Sequence, residues 1–152
     1  MRAFEENLGY RFRDPALLTR ALTRKAFANE EQQKSRHHDD QEILSFLGDA
    51  VLKAVFVELL VRAHYPAPDA ITQVKENLVR HDALAGFASR IGIGASIRLG
   101  AGEKPQGAEM DPSVLAETLE AIIGAIYLDG GFGAARESII RWYGEKIRPH
   151  PG

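Results

Sequence analysis

The sequence predicts an all-α fold. Two observations carry that reading: long stretches place apolar residues at helical spacing between short breaker-rich segments, and no stretch sustains two-residue alternation. At 152 residues the chain has the length of one domain, so a single unit spanning 1–152 must build its chemistry into one core.

The elements follow in order. The first helix is expected at Pro15, capped by Asp14, with Leu17, Leu18, Ala21, Leu22 and Ala26 on one side and Arg20, Arg24 and Lys25 on the other. Residues 28–40, ANEEQQKSRHHDD, are polar enough to predict a solvated, mobile loop. Residues 41–64 are apolar on most sides, which predicts a helix in the middle of the molecule. YPAPD at 65–69 ends it. A helix follows from Ala70 to about Arg90, broken near His81. Residues 99–112, rich in Gly and Pro, read as a loop that delivers Asp111 and Pro112 as the next helix start. That helix is expected to stop at residues 129–131, AspGlyGly, before a last amphipathic helix from about Ala134 to Ile147.

Composition excludes several classes of function. Nineteen Lys and Arg against 21 Asp and Glu give a formal charge of -2, so a polyanion would have to be held by local basic patches. The absence of Cys removes disulfides, thiolate nucleophiles and Cys-ligated zinc, leaving oxygen or imidazole for any metal. The amino terminus lacks a signal-peptide pattern and no run approaches the roughly 18 apolar residues of a spanning helix, so a cytoplasmic or organellar location is expected, with no membrane partner.

Carboxylates are the informative residues. Asp49 sits within the apolar 41–64 segment, where an unpaired ionised carboxylate would cost several kcal/mol. One reading pairs it with Lys53 four residues on; the other notes that Glu42, seven residues back, puts a second carboxylate on nearly the same face, with Ser45 between. Glu117 and Glu120 form a second pair at i,i+3. Spacing leaves open a solvated acidic face or a face that meets the first pair across a hard cation such as Mg²⁺. His37, His38, Asp39 and Asp40 lack the scaffold of a metal site and read as loop. Gly48 and Gly124, inside expected helices, imply close helix packing, and Tyr127, Trp142 and Tyr143 read as core or dimer interface.

Residues 44–52, LSFLGDAVL, and 117–131, ETLEAIIGAIYLDGG, resemble the two signature helices of ribonuclease III catalytic domains. The likeness extends to residues 8–30, to KENLVRHDALAGFA at 75–88, and to LGAGE at 99–103 followed by Gly107. The resemblance implies an all-helical domain that forms a homodimer, with a valley for double-stranded RNA and an acidic metal site toward each end. It implies metal-assisted hydrolysis of phosphodiesters in RNA processing or decay, leaving 5′-phosphate and 3′-hydroxyl ends, with Mg²⁺ as cofactor and Mn²⁺ as substitute. Carried over by position, Asp49, Glu117, Glu120 and Glu42 are the expected catalytic acids, with Asp49, Glu117 and Glu120 as metal ligands and Glu42, which matches the acid that opens the first signature, as a further candidate ligand; Glu117 stands where an aspartate is usual. Ser45 stands where the family has a metal-binding glutamate, and would act through water. Shortened family members without an RNA-binding domain also lack that glutamate, and a stand-alone form of this kind is expected here.

Arg24, Lys25, Lys75 and Arg80 are the candidate RNA contacts. A second expectation, from Ser45, is a catalytically weakened RNA-binding or ribosome-associated module. A separate RNA-binding protein or the ribosome is then a further candidate partner.

Overall fold

The computed structural model describes residues 1–152 and contains seven α-helices and no strand: α1 (Arg2–Leu8), α2 (Pro15–Ala21), α3 (Lys25–Gln33), α4 (Glu42–Arg62), α5 (Pro68–Val79), α6 (His81–Arg90) and α7 (Pro112–Tyr143). The all-α expectation holds. No helix is long and apolar enough to cross a membrane.

The core forms where α4 and α7 pack together, with α6 and α2 against α7. Leu44, Leu52, Val55 and Phe56 of α4 and Leu119, Ile122, Ile123 and Ile126 of α7 are buried. Two glycines set how closely these helices cross. A Cβ on Gly48 would collide with the Glu120 carbonyl oxygen, and one on Gly124 would collide with that of Leu44. Each glycine costs about 1 kcal/mol of helix propensity, and close backbone contact over a dry core offsets it.

Two helix starts form as their sequences require. Asp14 accepts a hydrogen bond from the Ala16 amide at 3.0 Å with Pro15 in the first turn, and Asp111 accepts from the Ser113 amide at 2.8 Å with Pro112 behind it. The break near His81 is also present, since α5 ends at Val79 and α6 begins at His81. Tyr143 is buried against Phe56, and Trp142 packs on Phe87 while its indole donates to the Leu8 carbonyl at 2.8 Å.

Five expectations need correction. The first helix is not at Pro15: α1 precedes it and buries Phe4 and Leu8, two contacts too few to show as a periodicity. The Pro15 helix ends at Ala21, and Ala26 belongs to α3, because Thr23 forms a bridge with Arg98 and the chain turns there. Residues 28–33, expected to be loop, continue α3. Local polarity misleads because the helix is held from outside: Arg98 stacks over Phe27 at 4.5 Å, and Glu30 accepts from the Ala101 amide at 2.8 Å. At residues 129–131 α7 kinks rather than stops. Asp129 accepts from the Tyr10 hydroxyl at 2.6 Å and the Arg13 and Asp14 amides at 2.9 Å, while Gly131 takes a φ of 87°. Finally, α4 is not enclosed on all sides, for its outer face exposes Ile43, Phe46, Ala50, Ala54, Val57 and Val61.

Gly48→Ala should destabilise the protein by at least about 3 kcal/mol, because backbone rather than a side chain must give way. Gly86→Ala, a helical position with open space around it, should be neutral or stabilising by about 0.5 kcal/mol. Urea unfolding followed by circular dichroism checks both, and similar midpoints for the two variants would contradict the close crossing.

Candidate active site

The glycine crossing sets the register of the site. Asp49 follows Gly48 on α4 and Glu120 lies four residues before Gly124 on α7, so close backbone approach brings their carboxyl groups face to face. Around them opens a pocket of about 530 Å³ lined by Arg24, Lys25, Ala26, Gln41, Glu42, Ser45, Phe46, Asp49, Glu103, Glu117 and Glu120. All four acids expected from sequence, and Ser45, therefore line one cavity.

Their environments differ. Glu120 is 7% exposed, and burial pushes its carboxyl up to about 8, with the facing Asp49 carboxylate acting in the same direction. The Asp49 side chain is 41% exposed and pairs with Lys53 at 3.0 Å. Burial pulls its carboxyl upward, but hydrogen bonds from Glu120 and Lys53 outweigh that and leave it below the usual range. Both sequence alternatives for Asp49 thus meet: Lys53 is a direct partner, and the acidic neighbours share its pocket. Asp49 is less buried than its apolar surroundings in sequence suggest.

Glu117 and Glu120 separate, although they are only three residues apart. The Glu117 side chain is 44% exposed and accepts from Arg24 Nη1 at 2.8 Å. Glu42 pairs at the rim with Lys25 at 2.8 Å, both well exposed. No three carboxylate or imidazole side chains converge on one point anywhere in the chain. His37 and Asp39 lie 3.2 Å apart in the exposed loop after α3, away from this pocket.

The candidate RNA contacts fall in different places. Arg24 is inside the acidic pocket, its Nε donating to Glu103 at 3.1 Å and its Nη1 also donating to Gln41 Oε1 at 3.1 Å. Lys25 is at the rim. Lys75 lies on α5 beside Glu76 at 3.8 Å, and Arg80 joins α5 to α6, 3.1 Å from Asp82; neither lines the pocket.

Sequence reading missed Gln41, Glu103 and Phe46 as pocket residues. Gln41 is buried and donates to the Ala21 carbonyl at 2.7 Å and to Thr118 at 3.1 Å. Glu103 folds the 99–107 loop inward by accepting from the Gly100 amide at 3.1 Å and from Arg24. Its place inside the LGAGE motif was the available signal.

Glu120 keeps its proton in the folded chain until about pH 8, whereas its ordinary value is 4.5. Between those values the unfolded chain binds fewer protons, so this group lowers stability progressively as pH rises, and the loss is complete above about 8. In protein free of divalent ions, Glu120→Gln should therefore stabilise the fold at pH 8 by about 2 kcal/mol, Asp49's depressed carboxyl offsetting part of the effect. The gain should disappear toward pH 4.5. Urea midpoints across this range test it, and a gain independent of pH would contradict the assigned cause.

The chain can now be set beside known proteins. Residues 14–147 match the model of the family described as Ribonuclease-III-like. Ribonuclease 3 of Jannaschia sp. (strain CCS1) is 40% identical over 147 residues, covering 96% of this chain and 62% of that protein. Ribonuclease 3 of Alkalilimnicola ehrlichii is 37% identical over 153 residues, covering 98% and 62%. The chain thus spans about three fifths of the length of these relatives. The crystal structure of the nuclease domain of ribonuclease III from Campylobacter jejuni superposes with a TM-score of 0.84 at 33% identity, covering 100% of this chain and 98% of the other. A second structure of that domain, described for structural flexibility in a region involved in dimer formation, also gives 0.84, at 35% identity over 97% and 98%. The match extends through both acid-bearing helices and the loop between them, and the chain belongs to the ribonuclease-III-like family.

Proposed function

We propose that this chain is a ribonuclease III-type endoribonuclease that hydrolyses phosphodiesters of double-stranded RNA, leaving 5′-phosphate and 3′-hydroxyl ends. The observation that carries the reading is the pair Asp49 and Glu120, two carboxyl groups held face to face in an open polar pocket.

The pair fits a divalent cation. A buried carboxyl that keeps its proton to about pH 8 beside a second carboxylate lacks compensating positive charge, and a hard cation supplies it. Mg²⁺ is held through one or two carboxylates and keeps several waters, so Asp49 and Glu120 suffice as its protein ligands, with Mn²⁺ as substitute. When bound, such an ion lowers the pKa of water and neutralises charge on a phosphate. The chain's own groups do the positioning. Lys53 orients the Asp49 carboxylate, Glu42 and Glu117 complete the acidic wall, and the Ser45 hydroxyl lines the same pocket, where it would act through water. Duplex RNA is recognised through shape, phosphates and 2′-hydroxyls, a task that Lys25, Lys75 and Arg80 serve, while Arg24 supplies positive charge inside the pocket.

The outer face of α4 supports a homodimer. Ile43, Phe46, Ala50, Ala54, Val57 and Val61 fall on one stripe, and Phe46 is 83% exposed at the pocket edge. Burying the stripe against a second copy would place two pockets on one continuous surface for a duplex.

Ser45 favours a second reading, an RNA-binding module with weakened cleavage, because it offers a hydroxyl where the family's glutamate would add a carboxylate. Incubation with long double-stranded RNA in Mg²⁺ or Mn²⁺ decides between them. The purified chain should cut, Asp49→Ala should not, and Glu120→Gln should lose about a hundredfold or more while still binding duplex. Folded wild-type protein that binds duplex without cutting it would favour the second reading. Ser45→Glu should raise Mg²⁺-supported cleavage about tenfold, and an unchanged rate would contradict the role given to that position. Phe46→Asp should halve the mass seen by light scattering, and an unaltered dimer would place the interface elsewhere.

A further inference from the structure

The pocket contains a positive charge of its own. Arg24 is fixed by its backbone before its side chain is considered. Its amide donates to the Arg98 carbonyl at 3.0 Å, and its carbonyl accepts from Ala28 at 3.1 Å in the first turn of α3. From that anchor the guanidinium reaches three separate elements: Glu103 in the loop before α7, Gln41 at the start of α4, and Glu117 on α7. Gln41 is itself pinned to Ala21 and Thr118. The Arg24 side chain is 21% exposed and carries its charge at every accessible pH. Moving it would leave Glu103 and Glu117 without their partner and take from Gln41 Oε1 its guanidinium donor.

We infer that Arg24 is a resident cation that takes the Glu117 side of the pocket and so limits the site to a single divalent ion, held by Asp49 and Glu120. This rests on the reading of Asp49 and Glu120 as the ion-holding pair. Glu117 Oε2 accepts from the guanidinium at 2.8 Å, so an ion bound at the same carboxylate would face a fixed like charge across it. The Glu117 arm ends on Arg24. Arg24 is therefore a positioning residue, acting through Glu117 and through the charge it contributes.

Titration of the ion-free chain with Mn²⁺, read by calorimetry and by electron paramagnetic resonance of the free ion, tests this without reference to cleavage. Wild type should bind one Mn²⁺ per chain, Arg24→Lys should do the same, and Arg24→Gln should bind a second. Glu117→Gln, which removes no cation and keeps a hydrogen-bond acceptor for Arg24, should weaken Mn²⁺ by less than about threefold, while Glu120→Gln abolishes binding. This comparison stands even where Arg24→Gln fails to fold. Two Mn²⁺ per wild-type chain, or a Glu117→Gln loss as large as that of Glu120→Gln, would overturn the assignment to Arg24 and leave the ion-holding pair intact. Wild-type protein that binds no Mn²⁺ would overturn the pair and this inference together.

Discussion

The backbone crossing of α4 and α7 at Gly48 and Gly124 is the constraint on which the rest depends. With no Cβ at either position, each helix places a glycine against a carbonyl of the other, and the side chains beside the contact are forced together. On the core side these are Leu44, Leu52, Leu119 and Ile123, which exclude water. On the pocket side they are Asp49 and Glu120. The same closeness that makes good apolar packing creates electrostatic cost a few ångströms away, where one buried carboxyl must hold its proton or gain a cation. On the proposed function, stability and activity pull on the same two helices, and the stored cost would favour an ion there.

Charge around the pocket is divided rather than pooled. Lys53 answers Asp49, Lys25 answers Glu42, and Arg24 answers Glu117 and Glu103, which leaves Glu120 as the acid hydrogen-bonded to no cation of the chain. The rim pair is exposed and contributes about 1 kcal/mol or less, whereas the Arg24 network is partly shielded and joins three elements. A net charge of -2 concealed this arrangement: the chain is nearly neutral overall, yet five carboxyl groups and two cations meet in one cavity.

Much of the fold was legible because its signals are local. Asp14 with Pro15 and Asp111 with Pro112 start helices through groups adjacent in sequence, and α4 shows its apolar repeat over twenty-one residues. The two elements that escaped, α1 and α3, owe their order to distant residues, Trp142 and Arg141 for one and Arg98 with the Ala101 amide for the other. The AspGlyGly kink misled for the same reason, since Asp129 binds the amino-terminal segment rather than a helix end. In the site, spacing left the two acidic pairs open and the family resemblance grouped Asp49, Glu117, Glu120 and Glu42 with Ser45; the five line one pocket. Spacing could not say which acid is buried or which has an arginine partner, because Arg24 arrives from another helix.

Anomalous diffraction from crystals grown in Mn²⁺ tests most directly whether the glycine crossing builds an ion site. The account predicts a peak in the pocket with Asp49 and Glu120 as the protein groups that would hold the ion. Mn²⁺ located elsewhere, with Asp49 and Glu120 still facing one another and free of it, would contradict the account.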